Sequence, residues 1–227
     1  MLGAAGWCVV AGEGGDLMDE GSAQLPAIRQ IADPFLRPTD LVDWMTPSIL
    51  SLAVELGADE ADTPDIARQC FEWVRDQVHH TVDHGDDVVT ARASEVLREG
   101  TGFCFAKSHL LVALLRANGI RAGFVYQRLS LDDERRAFSL HGLVAVDLPG
   151  YGWYRCDPRG NKPGVNAQFT PPAERLAFRT NRPGEVIFPK IYSDPVGIVA
   201  RALSVHSHAS ILATSLPDAV TQIELER

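Results

Sequence analysis

Three residues have the types and the order that nucleophilic catalysis requires: Cys104, His141 and Asp157. In such a set the thiolate attacks a carbonyl carbon, the imidazole transfers protons, and the carboxylate holds the imidazole in one tautomer. His141 follows the cysteine by 37 residues, which leaves room for a helix, a strand and a loop, and Asp157 comes 16 residues later. This spacing makes contact between the three side chains easy without proving it.

The cysteine opens the clearest helical pattern of the chain, from about Cys104 to Ala117. The apolar positions of this segment form one broad face, and Asn118 and Gly119 provide the stop. At a helix N-terminus, unpaired backbone N–H groups and the positive end of the dipole favour a thiolate over a thiol. The Cys104 N–H is also free to stabilise an oxyanion, and Gly102 removes bulk beside the sulfur.

The histidine and the aspartate fall in a second region, where the apolar spacing changes from helical to alternating. Strands are predicted at about 124–129, 140–147 and 153–156, with a solvated hairpin loop at 132–136. Asp157 closes the third strand, and Pro158 ends its pairing. Adjacent antiparallel strands would bring His141 and Asp157 within hydrogen-bonding reach.

Further helices are predicted on both sides of this region. Upstream, Pro47 opens a helix that Gly57 ends, Thr63 is the N-cap of a second helix, and a short third helix ends at Gly100. Near the C-terminus the pattern indicates only a helix at about 196–205. Helices followed by an antiparallel sheet predict an α+β fold.

Three blocks of sequence resemble the transglutaminase-like superfamily. They appear in the order of that family across roughly residues 60 to 160, and together they form a specific match. The blocks are Gly102-Phe103-Cys104 with 113–122, His141 to Pro149, and Gly152-Trp153 leading to Asp157-Pro158. The resemblance implies a papain-like fold, with the Cys-bearing helix packed on the sheet and with Cys104, His141 and Asp157 as the catalytic triad.

The chain departs from the family pattern beside each triad member. Phe105 stands where many members have Trp, Gly142-Leu143 where Ala-Trp is common, and Arg159 where Thr is usual. The triad itself is complete, which favours an active enzyme over a catalytically dead relative. The altered neighbours put the substrate preferences of classical transglutaminases in doubt.

The expected function is therefore thiol-dependent acyl transfer, with hydrolysis of a peptide or other amide as the first choice. Transfer of the acyl group to an amine uses the same chemistry and stays open. So does a noncatalytic peptide-binding module that retains the fold. A small amide metabolite is a further candidate substrate, and no cofactor is expected.

The composition sets broader limits. A chain of 227 residues that is 45% hydrophobic can bury one core, which predicts a single domain. Recognisable helical pattern begins only beyond Pro26, so a poorly ordered tail is expected at 1–25. The domain then covers 26–227, with a C-terminal extension at 161–227. The net charge of −9 disfavours nucleic acid and anionic membranes as partners. Translation could start at Met1 or at Met18. The oligomeric state is not predicted.

The cysteines favour a reducing, cytoplasmic location, because their spacing matches neither a zinc site nor a disulfide framework. They are Cys8, Cys70, Cys104 and Cys156. All except Cys104 are expected to be small buried hydrophobic residues.

Several other polar residues are candidate members of the site. Lys107 is expected to point into water rather than to support the thiolate, and His109 is expected to be structural because it lies about 140° around the helix from Cys104. His80 and His84 would share a face if their helix continued, which suggests a metal site, but the surrounding aspartates and glycine favour a loop. No metal ligand is assigned.

Overall fold

The computed structural model describes residues 32–60, 62–131, 134 and 137–226. In chain order its elements are α1 (Pro47–Gly57), α2 (Thr63–Gln77), β1 (His79–His80), α3 (Thr81–His84), α4 (Ala93–Glu99), β2 (Thr101–Gly102), α5 (Cys104–Ala117), β3 (Ala122–Ser130), β4 (Phe138–Leu148), β5 (Gly152–Cys156), β6 (Val186–Ile187), α6 (Gly197–Val205), α7 (Ala209–Thr214) and α8 (Gln222–Leu225). The expected tail, Met1, Met18 and Cys8 lie outside the described residues, as does most of the expected hairpin loop at 132–136.

The predicted helices and strands are present with small shifts at their ends. Helix α5 has the predicted bounds, and the three predicted strands correspond to β3, β4 and β5. The predicted cap of α2 is wrong, because Asp62 rather than Thr63 is the N-cap residue. The Asp62 side chain accepts a hydrogen bond of 3.0 Å from the Asp65 N–H. Aspartate caps as well as threonine, and Thr63 lies within the first turn.

The main sheet has four strands in the order β5-β4-β3-β6, and each neighbouring pair is antiparallel. A separate parallel pair joins β1 to β2, with His79 opposite Thr101 and His80 opposite Gly102. This small pair leads directly into α5. Helices and an antiparallel sheet together confirm the predicted α+β class.

Helix α5 lies at the centre of the fold and is buried on every side, not only on one apolar face as the sequence pattern indicated. All of its side chains from Cys104 to Arg116 are buried, since α1, α2 and α4 pack against it as well as β3 and β4. The Arg116 guanidinium compensates its own burial by donating to the backbone carbonyls of Arg37, Ala122 and Ser193. Within the described part of the chain, no helix has both the length and the apolar character to cross a bilayer.

Residues after β5 cover the face of the sheet that is turned away from α5. Alternate strand residues point to opposite faces, and Val125, Leu143 and Ala145 form a small second core on this side. Leu176, Ile187 and Ile191 pack against it. The segment that follows the core therefore belongs to the same packed structure as the sheet.

Strand β4 approaches the start of α5 unusually closely at Gly142. A Cβ atom at this position would lie 2.8 Å from Cδ1 of Phe105 and 3.3 Å from its Cα. The Phe105 ring therefore occupies the space that a side chain at position 142 would need. Two of the departures from the family pattern, at 105 and 142, are thus in direct contact.

We expect Gly142→Ala to lower the free energy of unfolding by about 1–3 kcal/mol, because the added methyl group overpacks the contact with Phe105. Urea denaturation of the parent and the variant measures this loss. In a Phe105→Leu background the same substitution should cost less, since the shorter side chain leaves room for the methyl group. Equal costs in both backgrounds would show that the Phe105 ring is not the source of the cost.

Candidate active site

Cys104 lies at the first position of α5, as the sequence predicts, with 7% of its surface exposed. Strand β2 delivers it there through Phe103, the N-cap residue, whose side chain makes no capping bond. Space beside Gly102 is tight, because a Cβ atom there would lie 3.2 Å from both Thr90 Oγ1 and Ala106 Cβ. The backbone N–H groups of the first turn are therefore left available beside the sulfur.

His141 and Asp157 are brought together by the register of β4 and β5. Val144 is opposite Cys156 in this register, so Asp157 comes level with Leu143, two residues from His141 along β4 and on the same face of the sheet. His141 Nε2 lies 2.8 Å from Asp157 Oδ2. Both side chains are buried, and the aspartate is fully excluded from solvent.

The Asp157 carboxylate also accepts two hydrogen bonds from backbone N–H groups. Its Oδ1 accepts from the Arg159 N–H at 3.1 Å, and its Oδ2 accepts from the Ala177 N–H at 3.2 Å. Burial alone would raise the pKa of the Asp157 carboxyl, but the His141 cation and these hydrogen bonds hold it below its ordinary value. The carboxylate is thus ionised and fixed in orientation.

The His141 imidazole interacts with both Asp157 and Cys104. Burial alone would lower the pKa of His141, but the negative charge of Asp157, followed by that of Cys104, outweighs burial and raises it to about 10. Since Nε2 faces the aspartate, Nδ1 is the ring atom that remains for the sulfur. The three predicted site residues are therefore assembled in the order sulfur, imidazole, carboxylate.

A segment of the C-terminal extension completes the surroundings of His141. The Phe178 ring meets the imidazole edge to face, with ring centroids 5.1 Å apart. Its backbone carbonyl accepts from Gln127 Nε2 at 3.3 Å, and Gln127 is opposite His141 across β3 and β4. Neither Gln127 nor Phe178 is among the site residues predicted from the sequence. Gln127 could have been found from the strand register, whereas no local pattern marks Phe178.

Lys107 is buried, so the expectation that it points into water is wrong. Its Nζ donates to the Val78 carbonyl and, at 3.4 Å, to the Arg75 carbonyl, near the C-terminal end of α2. Burial lowers the pKa of Lys107 to about 7. The helical pattern could not reveal this role, because the carbonyl acceptors belong to another helix.

The continued helix that would place His80 and His84 on one face is not present, because α2 ends at Gln77 and α3 begins only after His80. His80 points towards the cleft, with Nδ1 3.9 Å from Asp83 Oδ2, and burial together with the Arg159 cation lowers its pKa to about 3. His84 instead stacks on His79, with ring centroids 3.8 Å apart.

Donor atoms of His79, His84 and Asp86 lie within 4.8 Å of one another. The two imidazole rings are nearly parallel, 21° apart. The lone pairs of stacked rings lie in separate planes, so a single ion could not lie in both ring planes unless a ring rotated. We therefore assign no metal to this group.

The remaining predictions concern residues away from the triad. His109 is buried, with Nδ1 2.7 Å from the Ala91 carbonyl, in agreement with its expected structural role. Cys70 and Cys156 are buried free thiols, as expected, and burial raises the pKa of Cys70 to about 12 and that of Cys156 well above its ordinary range. Neither thiol is suited to act as a nucleophile near neutral pH.

A cleft of about 1470 Å³ opens above Cys104 and His141. One wall is formed by residues of β3 and β4, and another by the extension at 174–182. Val82, Ala213 and Leu216 add apolar surface. The volume exceeds the several hundred Å³ typical of small-molecule pockets, and the cleft leads directly to the sulfur.

Comparison with known proteins gives one family match, over the part of the chain that contains Cys104, His141 and Asp157. Residues 51–158 match the family model of the transglutaminase-like superfamily. No protein with a curated function matches the chain.

Solved structures also match parts of the chain. A candidate cysteine protease from Cytophaga hutchinsonii is 20% identical, with a TM-score of 0.47, and the match covers 60% of this chain and 45% of that one. The periplasmic domain of TgpA from Pseudomonas aeruginosa is 22% identical, with a TM-score of 0.40, and the match covers 49% of this chain and 42% of that domain. In both cases the match spans less than half the length of the other protein.

The raised pKa of His141 predicts how stability depends on pH. Its folded-state value of about 10 lies above the ordinary value of 6.5, so the folded protein holds this proton more tightly than the unfolded chain. The contribution of the His141 proton to the free energy of unfolding is complete below about pH 6.5 and is lost as the pH rises through about 10. Lys107 has the opposite effect on the pH dependence of stability: folding lowers its pKa, so its contribution becomes more favourable as the pH rises.

We therefore expect the stability advantage of the parent over His141→Gln to shrink as the pH rises from about 6.5 to about 10. Urea unfolding of both proteins across this range measures the difference. Lys107 contributes to the pH dependence of both proteins, so its effect largely cancels in the difference between them. A difference that stays constant over the range would contradict the charged His141–Asp157 pair.

Proposed function

Residues 51–158 carry the core of the transglutaminase-like superfamily, and from this premise we propose that the protein catalyses thiol-dependent acyl transfer at an amide carbonyl. Cys104 is the nucleophile, His141 the proton-transfer group and Asp157 the residue that orients it. The observation that carries the proposal is the buried His141–Asp157 pair beside the sulfur at the start of α5. Each of the three positions is supplied by a different rigid element or its end.

The proposed reaction has two halves. The Cys104 thiolate attacks the carbonyl carbon, and the Cys104 N–H donates to the oxygen that becomes negative. His141 gives its Nδ1 proton to the departing amine as the C–N bond breaks, which leaves a thioester on the sulfur. Water then attacks the thioester, His141 takes its proton, and the acyl group leaves as a carboxylic acid while the thiolate is restored.

Hydrolysis is our first choice for the second half, because water needs no dedicated binding site whereas an amine acceptor does. A peptide or protein is the favoured substrate. A cleft of about 1470 Å³ accommodates several residues of an extended chain, which is more than a small amide needs.

We expect Cys104 to be alkylated by iodoacetamide far faster than Cys70 or Cys156. The reason is that the His141 cation stabilises the thiolate, whereas burial keeps the other two thiols protonated. Peptide mass spectrometry after timed alkylation between pH 4 and 9 gives the rate for each cysteine. The two buried cysteines serve as internal controls within the same sample.

His141→Ala should reduce the rate at Cys104 roughly tenfold or more near pH 6, because the paired cation is removed. Asp157→Asn should have a smaller effect in the same direction. A Cys104 that is inert, or that reacts equally in the parent and in His141→Ala, would argue against catalysis. It would favour a noncatalytic peptide-binding module with the same fold.

Hydrolysis and transfer can be separated by supplying an amine. The protein is incubated with an unstructured protein substrate such as casein, with and without a fluorescent primary amine. Hydrolysis predicts new peptide termini without incorporation of the amine, and Cys104→Ala should abolish their formation. Covalent incorporation of the amine would instead identify a transglutaminase-type reaction.

A further inference from the structure

The charges that line the active-site cleft have the opposite sign to the protein as a whole. The chain carries a net charge of −9. Among the described residues, the lining nevertheless includes six basic side chains and three acidic ones. The basic residues are Arg155, Arg159, Lys162, Arg175, Arg179 and Arg182, and the acidic residues are Asp83, Glu174 and Glu185. A cleft with low-dielectric walls focuses such a local excess of charge.

The acidic residues do not neutralise the basic ones individually. Arg159 and Lys162 both pair with one carboxylate, that of Asp83: Arg159 Nη1 lies 2.5 Å from Oδ2, and Lys162 Nζ lies 2.7 Å from Oδ1. The Glu174 carboxylate pairs with Arg155 at 2.8 Å. His80 adds no charge near neutral pH, because burial lowers its pKa to about 3.

The third carboxylate, Glu185, is engaged by uncharged donors. It accepts from the backbone N–H groups of Ser130, Asn181 and Arg182 and from the Ser130 hydroxyl. Among the described residues, Arg175 and Arg179 have no carboxylate partner, and both are exposed. These two guanidinium groups are therefore available to an incoming anion.

Both arginines lie in the segment that touches the catalytic pair. Ala177 donates its N–H to Asp157, and Phe178 packs on His141. Arg179 is the next residue after Phe178, and Arg175 precedes Ala177 by two. Neighbouring Cα atoms are about 3.8 Å apart, so each long side chain begins within a few ångströms of the residues that contact the reacting groups.

We propose that this cleft selects an acyl-donor peptide that carries acidic side chains near the scissile amide, and that Arg175 and Arg179 bind those carboxylates. A guanidinium group binds a carboxylate through two parallel hydrogen bonds, which gives orientation as well as attraction. This inference deepens the proposed function and depends on it. It does not require the substrate to be known before it is tested.

The first test compares two alkylating agents of similar size, iodoacetate with a negative charge and iodoacetamide without one. The ratio of their rates at Cys104 reports the electrostatic potential at the sulfur. In Arg175→Gln/Arg179→Gln this ratio should fall roughly threefold or more, while the iodoacetamide rate changes little. The His141 cation is present in both proteins, so its attraction for iodoacetate cancels in the comparison.

Arg98→Gln is the matched control, because Arg98 is exposed on α4, pairs with Glu99 and does not line the cleft. This variant should retain the ratio of the parent. Raising the salt concentration from 0.02 M to 0.5 M should reduce the parent's ratio towards that of the double variant, since screening shortens the reach of the charges. A ratio that is unaffected by the double substitution would overturn the proposal.

A second measurement addresses peptides directly. A short acetylated peptide rich in Glu should protect Cys104 from iodoacetamide at lower concentrations than the same peptide with Gln at every Glu position, and the double variant should lose this preference. Equal protection by the two peptides overturns the acidic-substrate inference alone. Failure of Cys104 to react with iodoacetamide at all overturns the proposed function instead.

Discussion

The site is organised around the buried hydrogen-bonded pair of His141 and Asp157. Removing a carboxylate completely from water is costly, and the cost is met only when its charge and lone pairs are all compensated. Asp157 achieves this with one imidazolium and two backbone N–H groups, from Arg159 and Ala177. Loss of either backbone donor would leave part of a buried charge without a partner, so the geometry of this pair constrains the loop after β5 and the segment at 174–182 together.

This constraint makes the C-terminal extension part of the site. Ala177 completes the shell of Asp157, Phe178 covers the imidazole, and β6 pairs with β3 beside them. The family match ends at residue 158, before any of these contacts. Arg175 and Arg179 therefore lie outside the matched range, where the family pattern gives no guidance.

Helices α1, α2, α4, α5 and α6, strands β3, β4 and β5 and the closeness of His141 to Asp157 were predictable because each depends on local pattern or on a short motif. The short elements α3, α7, α8, β1, β2 and β6 were not predicted. Helix α5 has its predicted bounds, and alternation located β3, β4 and β5. Contacts between distant segments were not predictable. The acceptors of Lys107 lie about 30 residues away, and the role of Phe178 depends on a crossing that no motif marks. The closeness of Gly142 to Phe105 likewise became interpretable only once β4 was placed against α5.

Two cationic side chains lie near the start of α5, and their surroundings separate their roles. Lys107 directs its Nζ at the carbonyls of Arg75 and Val78, and burial lowers its pKa to about 7, so near neutrality it is charged only part of the time. His141 keeps its charge over the same range, because Asp157 and Cys104 raise its pKa to about 10. The cation that can stabilise a thiolate at Cys104 is therefore the imidazolium. Lys107 instead fixes the end of α2, and through it the small β1–β2 pair that leads the chain to Cys104.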